Sequence, residues 1–151
     1  MNIQTKYVGD VTVESDKIIH FKSGLPGFND ETEFVLLQLP GTPAEAFQTL
    51  QSIKTPDLAF VVANPYQFYQ DYEFRLDHSI VEYLKIQDEK DVLILTIVTL
   101  KSPFENSTIN LKAPLIINST RKRGKQYILN EEDYPTKAAL VSPHVSQAKG
   151  E

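Results

Sequence analysis

The sequence predicts a mainly β fold: a small antiparallel barrel-like or sandwich domain with one or two short helices. Roughly eight to ten short apolar runs of strand length recur along the chain. Glycine, proline, asparagine and aspartate punctuate them, as turns require. Little of the chain carries the 3.6-residue apolar period of a long helix.

Ile3, Thr5 and Tyr7 alternate with polar residues and predict a half-buried strand. Gly9-Asp10 predicts a turn or bulge. Val11–Val13 and Lys17–Phe21 flank Glu14-Ser15-Asp16 and read as a hairpin. Gly24-Leu25-Pro26-Gly27-Phe28 then demands a specific loop, with positive φ expected at Gly24 or Gly27. Phe34–Leu39 is a strand stopped by Pro40-Gly41. Thr42-Pro43-Ala44-Glu45 has the form of a helix start, one turn long at most.

Leu58–Ala63 is a continuous apolar run, suited to a central strand buried on both faces. Tyr66, Phe68, Tyr69, Tyr72 and Phe74 make the next stretch aromatic. Asp77 is placed to cap a short helix with Ile80, Val81 and Leu84 on one face. Asp91–Thr99 is the strongest strand signal, and Ser102–Ser107 follows as a loop. Thr108–Leu111 and Pro114–Asn118 are strands. Arg121–Lys125 reads as a basic hairpin tip leading into a strand over Gln126–Leu129. The expected core comprises Phe60, Val62, Leu93, Leu95, Ile97, Leu115 and Ile117.

The chain has 151 residues, a length that suits one domain. We expect that domain over 1–140, with 141–151, poor in large apolar residues, as a flexible tail. A composition of 41% hydrophobic and 23% charged residues argues against disorder of the whole chain. Cysteine is absent, so disulfides, thiolate metal sites and cysteine nucleophiles are excluded. No apolar run nears the ~20 residues that span a bilayer. Met1–Lys6 lacks the apolar stretch of a signal peptide. These features favour a cytoplasmic protein that does not bind membranes.

Catalytic patterns are missing: the sequence has no G-x-G-x-x-G, Walker A, H-E-x-x-H or G-x-S-x-G. His20, His78 and His144 are scattered, with no ligand spacing between them. Glu31 and Glu33 lie among charged neighbours and read as solvated surface. No enzyme, metal or cofactor is expected.

Two charge features remain. Asp71 to Asp91 holds seven acids against three bases, a balance of −4 within a chain of net charge −5. That stretch is either a solvated face or a docking surface for a basic partner, with neighbouring aromatics as anchors. We take Tyr69, Asp71, Tyr72, Glu73, Asp77, Pro103 and Phe104 as the candidate contact residues. Arg121, Lys122, Arg123 and Lys125 form a basic cluster without interleaved aromatics, a weak nucleic-acid signal.

In order along the chain, Gly24-Leu25-Pro26-Gly27-Phe28, Leu50-Gln51-Ser52, Pro56–Val62 and Asn64-Pro65 are followed by Asn110-Leu111-Lys112-Ala113-Pro114-Leu115-Ile116-Ile117-Asn118. With Gln126–Leu129 they resemble the flagellar assembly factor family FliW, over about residues 1–140. Gln126-Tyr127 stands where similar proteins often have Gln-Val, a swap between strand-forming residues. The resemblance implies a small β-rich fold without catalysis. Gly24, Leu25, Pro26, Gly27, Phe28, Asn110, Leu111, Ala113 and Pro114 then serve as structural pattern positions.

It also implies two protein partners: CsrA, an RNA-binding repressor of flagellin translation, and flagellin. Exchange between them makes a homeostatic loop in which free flagellin returns CsrA to its mRNA. No direct nucleic-acid contact is implied, and a monomer is expected because no long apolar stripe is left over. Two other readings of the residues are an OB-like nucleic-acid-binding barrel and a barrel holding a small molecule. Negative net charge weighs against the first.

Overall fold

Strands rich in Val, Ile, Leu and Phe bury their alternate residues by closing the sheet on itself. The computed structural model describes residues 1–43, 46–130 and 133–140. In chain order the elements are β1 (Asn2–Gln4), β2 (Asp10–Thr12), β3 (Ile19–His20), β4 (Glu33–Gln38), β5 (Phe47–Ser52) and β6 (Ala59–Ala63). Then come α1 (His78–Tyr83), β7 (Val92–Thr99), β8 (Thr108–Ile109), β9 (Leu115–Asn118), β10 (Arg123–Gln126) and β11 (Ala138–Ala139).

Strands β3 to β7 pair antiparallel with their sequence neighbours. The first half of β7 also pairs with β9, and β9 with β10. Strand β10 returns to β3 in parallel through the single register pair Arg123↔His20. These seven strands form a closed barrel. The far end of β7 carries β8, which carries β11.

Two faces of the barrel wall bury different residues. Phe21, Phe34, Leu50, Val62, Leu95, Leu115 and Ile117 fill the interior. Outside, the β1–β2 ribbon covers Val35 and Leu37 with Ile3, Val11 and Val13. A second outer layer joins Phe47, Val61, Tyr72, Val98, Ile109, Leu129 and Leu140. On a third side α1 seats Ile80 and Leu84 against Ile116.

The β-rich class and the strands at 34–39, 58–63 and 91–99 agree with the sequence reading to within a residue or two. Asp77 caps α1 as expected: its Oδ1 accepts from the Ile80 N–H at 3.1 Å. Both loop glycines have positive φ, +69° at Gly24 and +83° at Gly27. Pro26-Gly27 forms the corner of a tight turn in which the Phe28 N–H donates to the Leu25 carbonyl at 2.7 Å. A positive φ at the second corner residue is what a type II Pro-Gly turn needs.

Several expectations are corrected. The segments around Glu14-Ser15-Asp16 do not form a hairpin, because β2 pairs with β1 across Gly9 (φ +73°) and β3 pairs with β4 and β10. Strand β1 ends at Gln4, and the Thr5 hydroxyl closes the following turn on the Gly9 carbonyl. At Thr42-Pro43 the Thr42 hydroxyl donates back to the Leu39 carbonyl at 2.7 Å, and the Ala46 and Phe47 N–H groups both donate to the Pro43 carbonyl at 3.1 Å, in keeping with the single turn expected at most. Ala44 and Glu45 lie outside the described residues, as does the expected tail over 141–151.

Strand β5 has no counterpart in the sequence reading. The basic cluster is only partly a hairpin tip, since Arg123 and Lys125 belong to β10 and the strand stops at Gln126. Gly124 is a packing residue: a Cβ there would meet the Phe21 ring at 2.5 Å. Of the expected core, Val62, Leu95, Leu115 and Ile117 are buried, while Phe60, Leu93 and Ile97 are half-buried and pack against the interior cluster.

Polar residues of the barrel are tied down locally. The Glu31 carboxylate accepts from the Ser52 hydroxyl at 2.6 Å and the Thr55 hydroxyl at 2.5 Å. These bonds, the Ser52 one foremost, hold its pKa below the ordinary carboxylate value. A depressed carboxylate pKa adds stability that is present above the unfolded value of ~4.3 and lost as pH falls through the folded one. We expect the urea midpoint to drop below about pH 4.3, and Glu31→Gln to flatten that acid limb. Superimposable acid limbs for the two proteins would contradict this role.

Candidate functional site

The acidic stretch folds around α1 and along the outer face of β7. Asp71, Glu73, Asp77, Glu82, Asp88 and Glu89 are exposed, and Asp91 is half-buried. Three of these acids also hold the chain in shape. Asp77 accepts from the Ile80 N–H, the Ser79 hydroxyl at 2.7 Å and the Tyr127 hydroxyl at 3.2 Å. The Ser79 bond, then the Ile80 N–H, lowers its pKa. Asp88 caps the short 3-10 turn Glu89–Asp91 through the Lys90 N–H at 3.1 Å. Asp91 accepts from the Thr120 hydroxyl at 2.8 Å, tying that turn to the β9–β10 connection. Glu82 pairs with His78 one turn back on α1. Asp71 and Glu73 carry no ion pair among the described residues.

The aromatic candidates separate. Tyr72 lies inside: it is 4% exposed and its hydroxyl donates to the Leu111 carbonyl at 2.6 Å. Its ring packs on Tyr134 and Phe74, with centroids 4.8 and 5.4 Å away. It is therefore a core residue, and a partner cannot reach it in the folded chain. Tyr69 is half-buried, and its hydroxyl donates to the Ala139 carbonyl. Phe104 is 46% exposed and leans edge-on against Phe47 at 6.2 Å, next to exposed Pro103. Tyr69 and Phe104 thus border one aromatic cluster, and Phe74 connects that cluster to α1.

Sequence reasoning missed the strongest apolar feature of this side. Phe74, Leu76, Val81, Ile86, Val92 and Ile94 line an open groove of ≈ 470 Å³, rimmed by Asp88 and Glu89. Its signal was present in β7. Leu93, Leu95 and Ile97 face the barrel interior, so strict alternation puts Val92 and Ile94 outside, where α1 with Phe74, Leu76 and Tyr127 partly covers them. An apolar groove under an acidic rim can seat apolar side chains while favouring a positively charged partner.

The pattern positions are structural. The Asn110 side chain accepts from the Lys112 and Ala113 N–H groups, both at 3.1 Å. Leu111, Ala113 and Pro114 are buried. Leu25 is 1% exposed, whereas Phe28 is 41% exposed and meets Phe60 edge-on at 5.8 Å. Asn118, at the end of β9, donates to the Leu84 carbonyl at 2.8 Å and fixes the end of α1 beside the barrel. Among the described residues no group of His, Asp and Glu is arranged to hold a metal ion. No described helix is long and apolar enough to cross a membrane.

The model of one protein family, described as FliW protein, matches residues 2–140. The flagellar assembly factor FliW of Oceanobacillus iheyensis is 44% identical over 149 residues, which cover 99% of this chain and 100% of that protein. The corresponding factor of Bacillus velezensis is 48% identical over 137 residues, covering 91% and 94% of the two chains. A crystal structure of a flagellar assembly factor FliW superposes with a TM-score of 0.88 at 42% identity, covering 94% of this chain and 98% of that one.

Proposed function

The chain belongs to the FliW family, and from that premise we propose that it serves flagellar assembly as a cytoplasmic, non-catalytic protein-binding regulator. It captures CsrA, which relieves repression of flagellin mRNA. It also binds flagellin, so the two partners compete for one limiting protein and each lowers the other's bound fraction. The observation that carries this reading is the match to the family over residues 2–140.

The acidic face supports the CsrA half of the proposal. A repressor that binds RNA is expected to present basic surface, and an acidic partner gains association rate by steering. Asp71, Glu73 and Glu89 supply charge, while Tyr69, Phe104 with Pro103, and the groove at Val81 and Ile86 offer apolar contact. CsrA is taken beside its RNA surface, where these carboxylates repel phosphates.

Reversing Asp71, Glu73 and Glu89 to lysine tests this without touching the cap of α1. Asp77 is left in place because it holds the helix start. Association with CsrA is expected to slow by about tenfold or more at low salt and to lose most of its salt dependence. An unchanged rate and salt slope in a folded triple variant would place the partner on another surface.

A further inference from the structure

The barrel wall has a slot where β3 stops short. Strand β3 is two residues long beside a six-residue β4, and Ile19 pairs with Phe34. Opposite Leu36 the chain has already left the sheet for the 3-10 turn Ser15–Lys17. Through this gap an apolar cavity of ≈ 370 Å³ opens, walled by Ile19, Leu36, Leu93 and Ile117 from the barrel interior. That volume falls within the ~300–1,000 Å³ of small-ligand sites. Leu36 and Leu93 are only half-buried there, so part of the barrel interior is uncovered.

The rim of the slot is charged. Lys17 and Lys122 line it, with Glu14 as the one acid among its lining residues. Lys122 also lines an adjoining groove of ≈ 410 Å³ whose other charged or titratable residues are His20, Lys22, Arg121 and Arg123. Among the described residues Lys17, Lys22, Arg121, Lys122 and Arg123 make no ion pair, and His20 approaches Glu33 at 3.9 Å. In a chain of net charge −5, this is a local excess of cations without a carboxylate partner beside exposed apolar surface, with the Lys122 ammonium held at the rim by donating to the Ser119 carbonyl. The groove holds no Phe, Tyr or Trp ring, the stacking platforms on which single-stranded RNA binding chiefly rests, so its cations favour a simple anionic head.

We propose that the slot between β4 and the β9–β10 connection binds a small anionic amphiphile. Its tail lies against Ile19, Leu36, Leu93 and Ile117, and its carboxylate or phosphate head rests between Lys17 and Lys122. The site is on a different part of the barrel from the acidic groove beside α1, and it stands independently of the proposed partners.

Methyl and amide NMR of the full chain, titrated with decanoate and separately with decyl phosphate, tests the assignment and distinguishes the two heads. Decyltrimethylammonium serves as the opposite-charge probe. We expect one saturable site for at least one anionic probe, with shifts at Leu36, Leu93 and Ile117 and binding at least tenfold weaker for the cation. Lys17→Gln with Lys122→Gln should weaken anion binding about five- to tenfold, as losing two exposed ion pairs implies. Leu93→Phe should fill the slot and abolish binding, and Leu36→Phe provides the same test if the first variant does not fold. Absence of saturation, equal binding of the cation, or shifts confined to His20, Lys22 and Arg121–Arg123 would overturn the proposal.

Discussion

Replacing Gly24 with alanine is expected to destabilise the chain by about 2–5 kcal/mol, the sum of backbone strain and overpacking. Gly24 has a φ of +69°, where an L side chain is strained. A Cβ there would also meet the Phe28 carbonyl oxygen at 2.5 Å and the Asn29 Cα at 2.7 Å, both backbone atoms that cannot rotate aside. Gly27 supplies the control, because its φ is +83° but a Cβ would meet nothing within 4 Å. Gly27→Ala should therefore show strain alone, about 1 kcal/mol. Urea unfolding of the two variants separates the effects. Equal losses would mean that the turn relaxes around the added methyl and that close packing at Gly24 contributes nothing.

Leu95→Ala is expected to cost about 2–5 kcal/mol, the range for a buried leucine whose cavity does not collapse. Leu95 is 3% exposed in the barrel interior and pairs with Leu115, itself fully buried. Strand β7 is held by β9 over Val92–Leu95 and by β6 at Thr96 and Ile97, so the backbone on either side of Leu95 is not free to move in and fill the space. A loss under about 0.5 kcal/mol in the denaturation midpoint would mean that Leu95 does not help to close the core.

What could be read in the sequence follows from where the apolar residues concentrate. Strands β6 and β7 are near-continuous apolar runs, and a run buried on two faces needs no partner to be recognised. Strand β5, Phe-Gln-Thr-Leu-Gln-Ser, is hidden because four of its six residues are polar. Gln51 and Ser52 are nevertheless buried, since the Gln51 amide faces the Ser52, Pro56 and Leu58 carbonyls at 3.1 Å each and the Ser52 hydroxyl donates to Glu31 at 2.6 Å. Local pattern carries no signal for such satisfaction at a distance. The pairing of β3 failed for a related reason. Two residues specify no partner, and the parallel contact with β10 joins segments about a hundred positions apart through one register pair.

The site was legible as charge and not as shape. The count of acids from Asp71 to Asp91 located the face, but it could not distinguish Asp77 and Asp88, which cap turns, from Asp71 and Glu73, which do not. Tyr72 read as an anchor because aromatic clusters occur in cores and at interfaces alike. Its burial against Leu111 follows from chain segments that meet only in the fold. The groove at Phe74, Val81 and Ile94 needed the placement of α1 as well as the alternation of β7.

The proposed function is tested by the fraction of flagellin leader RNA held by CsrA as the purified chain is added, followed by addition of flagellin. The proposed function predicts that RNA is released as the chain is titrated in, without the chain binding RNA itself. It further predicts that flagellin restores the CsrA–RNA complex by occupying the chain. An RNA-bound fraction unaffected by an excess of folded chain, or direct salt-sensitive binding of the RNA by the chain, would contradict it.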